Sequence, residues 1–236
     1  MSMQEKSPEV SIILTTYNRP AMLRRAVESV VAQTFTDWEL LIFDDNSDNP
    51  EQVSYLDELR KIERVHVVVS DVREEDRLKT ARYATLINDA LAIARGKYIT
   101  YLCDDDYFMP TRLEKMVSFL EASLDKHVVY GSQGTIYIQP DGTETEGSIR
   151  AATAILENAD CVVDHSSVMH TWEAYNKVGG WDDDPTNWGH ADGIFWKKLG
   201  EGGYLFHPIN EVLDFHVYHD GSWTKKVGET HHARNV

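Results

Sequence analysis

Short apolar runs and amphipathic stretches alternate along the first half of the chain. Val10–Thr16 is β-branched and uncharged, which is typical of a strand buried on both faces. After Pro20 the apolar positions recur at helical spacing, and proline is favoured at the first position of a helix. Continued to residue 124, the pattern predicts strands at Val10–Thr16, 39–43, Val65–Val69 and 98–102, and helices at 20–33, 51–62, 80–95 and 110–124.

This alternation predicts an α/β fold with a Rossmann-like, mostly parallel sheet that is flanked by helices on both faces. In sheets of this kind, ligands bind beyond the carboxyl ends of the strands. Polar residues follow three of the predicted strands, at 15–18, at Asp44-Asp45 and at Asp104-Asp105-Asp106. We therefore expect these three groups to meet in one cleft.

The regular alternation is lost after residue 124. The remaining pattern predicts strands at 127–131, 135–139 and 161–169 and a helix at 192–199. Asp141-Gly142 has the composition of a hairpin turn. The stretch 216–236 is polar and histidine-rich, which is typical of a mobile tail or lid, and we expect His216 and His219 to be solvent-exposed rather than metal ligands. No repeat or linker divides the chain, so we treat it as a single fused unit.

Acidic residues outnumber basic ones, with 39 Asp+Glu against 23 Lys+Arg and a formal net charge of −16. Such a surface repels nucleic-acid backbones and anionic membranes, so no nucleic-acid partner is expected. Two cysteines, Cys103 and Cys161, are too few for a disulfide framework and suit a reducing compartment. Residues 1–10 lack the apolar stretch of a signal peptide, and no run reaches the roughly 18 apolar residues of a membrane span. We expect a soluble cytoplasmic protein with no transmembrane segment.

The consecutive carboxylates Asp104, Asp105 and Asp106 repel one another, so a strand end that carries them needs a cation. Carboxylate oxygens favour Mg²⁺ or Mn²⁺, and such an ion usually completes its shell with substrate phosphates. The alternative for an isolated triplet is a solvated acidic turn that caps the next helix. Here the triplet follows a predicted buried strand, as the two other polar groups do, and this position favours a metal site.

A second group of candidates surrounds Tyr17 and Asp45. The tyrosine offers a flat face to a nucleobase, and the carboxylate can accept a hydrogen bond from a ribose hydroxyl or a base N–H. Arg19, Arg77 and Arg82 are candidate contacts for a diphosphate or a base, because a guanidinium pairs bidentately with such groups. Each arginine is equally consistent with a surface charge on an amphipathic helix.

A third group centres on Asp192, which stands between Trp188 and Trp196 with glycines nearby. A carboxylate in a partly apolar cleft gains basicity through desolvation, which suits a general base. The alternative is that Asp192 is the N-cap of the helix that follows. Asp164-His165 ends an apolar stretch, and it either lines an acceptor pocket or forms a buried, satisfied pair.

Several segments resemble the inverting family-2 glycosyltransferases that have the GT-A fold. The matching segments are 10–18 (VSIILTTYN), 29–35 (SVVAQTF), 38–47 (WELLIFDDNS) and 98–106 (YITYLCDDD). Further matches, similar to the spore-coat polysaccharide glycosyltransferases of bacteria, are Arg77, 79–86 (KTARYATL), 164–170 (DHSSVMH) and 192–196 (DGIFW). The likeness runs from about residue 8 to about residue 200 and fades beyond it.

On the donor side, the resemblance implies a role for each matching position. The implied nucleoside contacts are Thr15, Tyr17, Asp45, Arg77 and Asp104. Asp104 would reach the ribose or the metal, and Asp105 would be the principal ligand of a Mn²⁺ or Mg²⁺ ion. Asp106 departs from the family pattern, and we add it to the metal ligands on its position alone.

On the acceptor side, the resemblance implies that Asp192 is the catalytic base of a single in-line displacement. Asp164 falls in the segment that matches the family's sugar and acceptor region, and we place His165 and Trp188 beside it. The chain then divides into a nucleotide-sugar-binding half at 1–106 and an acceptor-binding half, with a flexible C-terminal tail, at 107–236.

The resemblance therefore implies metal-dependent transfer of a sugar, with inversion, from a UDP- or dTDP-sugar to an acceptor hydroxyl in polysaccharide or glycoconjugate synthesis. A nucleotidyltransferase usually carries a glycine-rich, lysine-containing loop after the first strand, and residues 15–20 contain neither glycine nor lysine. A dinucleotide oxidoreductase would need GxGxxG at the same place. A non-catalytic sugar-nucleotide binding module is the alternative from another class.

Overall fold

The computed structural model describes residues 7–220, which form one mixed sheet flanked by helices. The strands are β1 (Val10–Thr16), β2 (Trp38–Asp44), β3 (Val65–Val69), β4 (Tyr98–Cys103), β5 (Tyr107–Phe108), β6 (Val128–Ile138), β7 (Glu144–Arg150), β8 (Val168–Thr171) and β9 (Phe206–Tyr218). The α-helices are α1 (Pro20–Val31), α2 (Pro50–Leu59), α3 (Arg82–Leu91), α4 (Arg112–Glu121), α5 (Trp172–Val178) and α6 (Ala191–Glu201). Short 3₁₀ helices cover Glu74–Lys79, His165–Ser167 and Pro185–Asn187.

The order of strands across the sheet is β3-β2-β1-β4-β8-β6-β9-β5, with β7 paired to β6. β1 runs parallel to β2 and β4, and β2 runs parallel to β3, which confirms the parallel part that the sequence predicts. The register sets Thr16 opposite Asp44 and Thr15 opposite Cys103, so β1, β2 and β4 end at the same edge. β8 is antiparallel to β4 and β6, which makes the second half of the sheet mixed.

Helices cover both faces of the sheet, as the sequence predicts. On one face, α1, α2 and α4 bury side chains such as Leu23, Leu56 and Met116 against the sheet. On the other face, α3 and α6 bury side chains such as Ile87 and Trp196. Alternate residues of each strand point to opposite faces, so a strand covered on both sides has to be apolar throughout.

The connection from α3 to β4 passes very close to β1 at Gly96. A Cβ atom at this position would lie 2.3 Å from the Ser11 backbone nitrogen, which only glycine avoids. The Gly96 N–H also donates a hydrogen bond to Ser11 Oγ at 2.8 Å. This close approach lets β4 lie against β1, and it sets the start of the acidic triplet beside the end of β1.

Three predictions for the second half of the chain differ from the structure. The strands predicted at 127–131 and 135–139 are one continuous strand, β6, with an irregularity where it meets β7 and β9. The strand predicted at 161–169 is mostly loop and 3₁₀ helix, because Asp164 accepts a hydrogen bond from the Ser166 N–H and turns the chain. The predicted tail begins as the last part of β9, so 216–218 is strand, whereas 221–236 lies outside the described residues.

Two further local predictions concern a turn and a helix. Asp141-Gly142 does form a hairpin turn, between β6 and β7, with Gly142 at φ 82°. The predicted helix at 80–95 is shorter as α3, because the Ala81 N–H bonds to the Asp183 carbonyl and holds Ala81 in an extended conformation. Among residues 7–220, none of the helices combines the length and apolar content that a bilayer crossing requires.

Candidate functional site

The acidic triplet lies where β4 ends, and the protein almost encloses it. Asp104 and Asp106 are 5% and 1% exposed, and the Asp105 side chain is 12% exposed. Burial of charged carboxylates is unfavourable unless cations or hydrogen-bond donors compensate them. Each of the three aspartates has its own set of compensating partners.

Asp104 joins the end of β4 to the end of β1. Its carboxylate accepts hydrogen bonds from Thr16 Oγ1 at 2.8 Å and from the Tyr17 N–H at 3.3 Å, and Arg19 Nη1 lies 3.0 Å away. Burial and the neighbouring Asp105 charge raise the pKa of Asp104 to about 6, although Arg19 and the hydrogen bonds oppose them. Asp104 is therefore held firmly beside Tyr17.

Asp105 faces an arginine and a histidine side chain. Arg19 Nη1 lies 2.9 Å and His219 Nε2 3.1 Å from the same oxygen, Oδ2. Burial on its own would raise the pKa of Asp105, but the hydrogen bond from His219 and the Arg19 charge outweigh burial and hold the pKa below its usual value. Asp105 is thus the carboxylate of the triplet that stays ionised most readily.

Asp106 points into the protein toward β9. It accepts hydrogen bonds from Ser166 Oγ at 2.8 Å and from the Val217 N–H at 3.1 Å. His216 Nδ1 lies 3.1 Å from Asp106 Oδ1, without the alignment of a hydrogen bond. Burial lowers the pKa of His216, but the charge of Asp106 and its neighbours more than reverses this and raises the pKa to about 10.

The expectation that His216 and His219 are solvent-exposed is wrong, because both lie against the triplet. The physical reason is that β9 continues to Tyr218 and carries them to the carboxyl edge of the sheet. The segment 212–218 (VLDFHVY) is rich in β-branched and aromatic residues, which is the signal that predicts a strand here.

The triplet and its surroundings have the donor set of a divalent cation site. Ligand atoms of Asp106, Asp164 and His216 lie within 4.8 Å of one another, and so do those of Cys103, Asp105 and Asp106. Carboxylate oxygens suit Mg²⁺ and Mn²⁺ alike. Burial raises the pKa of the Cys103 thiol well above its usual value, so this group stays protonated and is a poor ligand.

The predicted nucleoside residues lie together at the ends of β1 and β2. Arg77 donates to the Asp45 carboxylate at 2.6 Å and to the Asp45 carbonyl at 2.7 Å. Arg82 donates to the other carboxylate oxygen at 2.7 and 2.9 Å. The Arg77 guanidinium also lies 3.7 Å above the centre of the Tyr17 ring. Thr15 is half-buried on β1, between β2 and β4.

Asp192 lies in the first turn of α6, and its N-cap is His190 rather than Asp192 itself. The carboxylate accepts a hydrogen bond from the Gly193 N–H at 2.8 Å and is half-buried. Burial raises the pKa of Asp192; His165 lowers it and Asp164 raises it further, with a net upward shift. A carboxylate with raised pKa is suited to accept a proton.

Asp164 and His165 lie between Asp192 and the triplet. Ligand atoms of Asp164, Asp106 and His216 lie within 4.8 Å of one another. Burial alone would raise the pKa of Asp164, but His165, His216 and the Ser166 N–H outweigh burial and lower the pKa to about 2. His165 Nε2 lies 3.1 Å from Cys103 Sγ. Trp188 is half-buried and packs against the hydrophobic cluster of α3 and α6.

Sequence reasoning also missed Tyr83 and Ser166. The Tyr83 hydroxyl accepts a hydrogen bond from the Ala191 N–H at 2.9 Å, and its ring stacks near His165 with the centroids 6.2 Å apart. Tyr83 therefore fixes the start of α6, one residue before Asp192. Its helical neighbours Ala84, Leu86 and Ile87 are core residues, so periodicity alone does not distinguish Tyr83 from the core.

Comparison with known proteins finds related sequences. The family model described as Glycosyl transferase family 2 matches residues 11–145. Protein CgeD of Bacillus subtilis is 46% identical over 211 residues, which cover 87% of this chain and 49% of CgeD. The putative teichuronic acid biosynthesis glycosyltransferase TuaG of the same organism is 30% identical over 210 residues, which cover 87% of this chain and 77% of TuaG.

Solved structures with low sequence identity share the fold. Staphylococcus aureus TarS 1–349 in complex with UDP-GlcNAc superimposes with a TM-score of 0.70 at 14% identity, over 92% of this chain and 60% of that chain. The mannosyltransferase PcManGT from Pyrobaculum calidifontis, in complex with GDP-Man and Mn²⁺, superimposes with a TM-score of 0.66 at 17% identity. The match covers 94% of this chain and 60% of PcManGT. The fold is thus the predicted GT-A type, and this chain spans about half the length of CgeD.

Proposed function

Because this chain belongs to glycosyl transferase family 2, we propose that it transfers a sugar, with inversion, from a nucleoside-diphosphate donor to an acceptor hydroxyl in polysaccharide or glycoconjugate synthesis. The observation that carries the proposal is one continuous line of contacts at the carboxyl edge of the sheet. Arg77 joins Asp45 to Tyr17, Asp104 binds the Tyr17 N–H, and Asp106 with Asp164 leads toward the acceptor side.

On the donor side, Tyr17, Asp45 and Arg77 hold the nucleoside, with Thr15 and Asp104 beside it. Asp105 and Asp104, with Asp106, would hold a Mn²⁺ or Mg²⁺ ion, and His216 and His219, which lie against Asp106 and Asp105, would be near enough to join them. When bound, this ion supplies positive charge that stabilises the departing diphosphate. PcManGT, which shares the fold, was solved with Mn²⁺.

On the acceptor side, Asp192 is the general base, and Asp164, His165 and Trp188 line the pocket. Asp192 takes the proton from the acceptor hydroxyl while that oxygen bonds to the anomeric carbon. The bond from this carbon to the diphosphate oxygen breaks on the opposite face, so the configuration inverts and the nucleoside diphosphate leaves. Tyr83 keeps the first turn of α6 in place for this step.

The proposed donor carries uracil or thymine as its base. The proposed site of action is the cytoplasm. TarS was solved with UDP and with UDP-GlcNAc, and PcManGT with GDP-Man, so neighbours of this fold accept different bases. A panel of UDP-, dTDP- and GDP-sugars therefore belongs in the first assay. Hydrolysis of the donor, measured as released nucleoside diphosphate, detects activity before the acceptor is known.

The test of the catalytic assignment is Asp192→Asn, which keeps the shape of the side chain and removes its basicity. Loss of a general base typically costs about 10²–10⁴-fold in rate, so kcat should fall by that factor while donor binding is retained. Asp57→Asn, on the exposed surface of α2, is the control and should match the unchanged protein. Equal transfer rates in Asp192→Asn and the control would show that Asp192 is not the base.

Two further outcomes identify the rival functions. A non-catalytic binding module would bind the sugar nucleotide and release no nucleoside diphosphate with any acceptor. A nucleotidyltransferase would release pyrophosphate from a nucleoside triphosphate and a sugar phosphate, and would give no product from a nucleoside-diphosphate sugar.

A separate prediction concerns the metal site. Asp105→Ala removes the carboxylate that is most readily ionised, so the dependence of UDP binding on Mn²⁺ should disappear. Isothermal titration of UDP with and without Mn²⁺ measures this. If UDP affinity in the unchanged protein is the same in a chelator as in Mn²⁺, the metal assignment itself is wrong.

A further inference from the structure

Asp160, Cys161 and His190 form a compact group that the proposed reaction does not use. Cys161 Sγ donates a hydrogen bond to Asp160 Oδ1 at 3.3 Å, and His190 Nε2 lies 3.2 Å from the same oxygen. Ligand atoms of the three side chains lie within 4.8 Å of one another, and these residues differ from those of the two groups at the acidic triplet. A thiol, an imidazole and a carboxylate therefore meet at a separate place on the protein.

The group joins two segments that are distant in the chain. Asp160 and Cys161 lie in the segment 151–164, which follows β7, whereas His190 is the N-cap residue of α6. The His190 side chain makes no capping hydrogen bond, and its ring lies against Asp160 instead. An ion held by all three side chains would tie this segment to the first turn of α6.

Gly193 leaves the room that the group needs on the first turn of α6. A Cβ atom at this position would lie 2.2 Å from Asp160 Oδ1 and 2.6 Å from His190 Cε1. Atoms that are not bonded do not approach so closely, so any other residue here would displace the carboxylate or the imidazole.

A tight turn presents the Cys161 thiol to solvent. Cys161 has a φ of 56°, in the left-handed region that residues other than glycine seldom adopt. The Val162 and Val163 N–H groups both bond the Ala159 carbonyl, at 3.0 and 3.1 Å, and close the turn around it. Cys161 is exposed, so an ion can reach its sulfur from solvent.

These ligand types favour Zn²⁺ over Mg²⁺ and Mn²⁺. Thiolate and imidazole suit Zn²⁺, whereas carboxylates and water suit the two harder ions. In a tetrahedral zinc shell, with bonds of about 2.0–2.3 Å, neighbouring ligand atoms lie roughly 3.4–3.6 Å apart. The two separations from Asp160 Oδ1, 3.2 and 3.3 Å, are close to this value, so the group needs little rearrangement.

We propose that Asp160, Cys161 and His190 bind Zn²⁺ at the start of α6, apart from the Mn²⁺ or Mg²⁺ site proposed at the acidic triplet. The Cys161 thiol releases its proton to solvent as its sulfur bonds the ion, and water completes the tetrahedral shell. The ion ties the segment 151–164 to the turn that carries Asp192. This inference does not depend on the proposed function, because it concerns metal binding alone.

Alkylation by iodoacetamide tests the site in the whole chain, because a sulfur that is bound to zinc reacts slowly. Cleavage after lysine and arginine leaves Cys161 in the peptide 151–177 and Cys103 in the peptide 98–112, so mass spectrometry follows each thiol separately. Zn²⁺ should slow the alkylation of Cys161 roughly tenfold or more. Mg²⁺ and Mn²⁺ at the same concentration should leave its rate unchanged.

His190→Gln removes one ligand and keeps the thiol that reports binding. The Zn²⁺ concentration that gives half protection of Cys161 should rise roughly tenfold or more in this variant. His66→Gln is the matched control, because His66 is 41% exposed, against 45% for His190, and lies beside Glu39 on β3. Zn²⁺ should protect Cys161 in this control as it does in the unchanged protein.

Three outcomes would overturn the inference. Alkylation of Cys161 at the same rate with and without Zn²⁺ would exclude the site. Unchanged protection in His190→Gln would show that the imidazole is not a ligand. Equal protection by Mg²⁺ would contradict the choice of ion. Circular dichroism melts confirm that the variants are folded, and the donor assays test the proposed function separately.

Discussion

At the scale of single residues, the buried carboxylates differ because their partners differ. Asp164 has a pKa of about 2 and Asp104 of about 6, although both are shielded from solvent. Asp164 faces histidines and a backbone N–H, whereas Asp104 faces another carboxylate as well as Arg19. Asp192 has the raised pKa that a proton acceptor needs.

This difference predicts the pH dependence of transfer. Asp192 accepts a proton only when ionised, so kcat should rise with pH through its folded pKa, which is shifted above the ordinary 3.8. His165 lowers this pKa and Asp164 raises it. The acidic limb of the kcat profile should therefore move to higher pH in His165→Gln and to lower pH in Asp164→Asn. Shifts in the same direction in both variants would contradict the assignment of this limb to Asp192.

At the scale of secondary structure elements, close approaches of the backbone determine where the strands end. Gly96 lets β4 lie next to β1, and the acidic triplet begins directly after β4. Asn49 caps α2 by accepting the Glu51 N–H at 2.9 Å. Gln52 lies in the first turn of this helix. Gln52 in turn bonds Arg19 and the Asp44 carboxylate. The ends of β1 and β2 are thus held by the elements that follow them.

The close approach predicts the effect of Gly96→Ala. Its methyl group would meet the backbone of β1, which cannot move aside without breaking the sheet, so unfolding should cost about 1–3 kcal/mol less. Urea unfolding monitored by tryptophan fluorescence measures this free energy. A variant as stable as the unchanged protein would show that the α3–β4 connection can relax.

At the scale of the whole molecule, one fully buried arginine lies beneath the candidate site and joins the two halves. Arg112 donates to Thr100 Oγ1 at 2.9 Å and to the Ser166 carbonyl at 2.7 Å. Its Nε lies 3.7 Å from Asp214 Oδ2 on β9. Burial lowers the pKa of Arg112 to about 10 and raises that of Asp214 to about 7, and each charge opposes the shift of the other.

This buried pair predicts a large effect of Arg112→Leu. Removal of one partner from a buried ion pair costs about 3–5 kcal/mol, because the remaining charge is uncompensated. Asp214→Asn in the Arg112→Leu background removes that charge and should recover part of the loss. Unfolding free energies of the two single variants and the double variant at pH 8, where Asp214 is largely ionised, measure the coupling. Additive losses would contradict it.

The sequence predicts the parallel half of this fold well, because its signals are local. β1 and β3 are found at the predicted residues, since each is a β-branched run between polar residues. Likewise, the acidic triplet directly follows a buried strand. Tyr17 and Asp45 follow parallel strands that end at the same edge of the sheet, so their position on that edge is predictable.

The second half of the chain is harder to predict, because long-range contacts decide its structure. An apolar run at 161–169 suggests a strand, but the Asp164 side chain bonds the local backbone instead. β9 contains polar residues that are buried only because partners reach them: Gln133 for Asp214, and Asp106 for His216. The local sequence pattern does not predict contacts with partners that are distant in the chain, so His216 and His219 are absent from the predicted site.

The parallel pairing of β6 with β9 joins segments that are far apart in the chain, and this affects the order of folding. β1, β2, β3 and β4 can assemble from near neighbours, whereas β9 must first close a long loop, at an entropic cost. His216 and His219 arrive only with β9. As long as β9 is not in place, the carboxylates of Asp104, Asp105 and Asp106 lack the two histidines that lie against them in the folded protein.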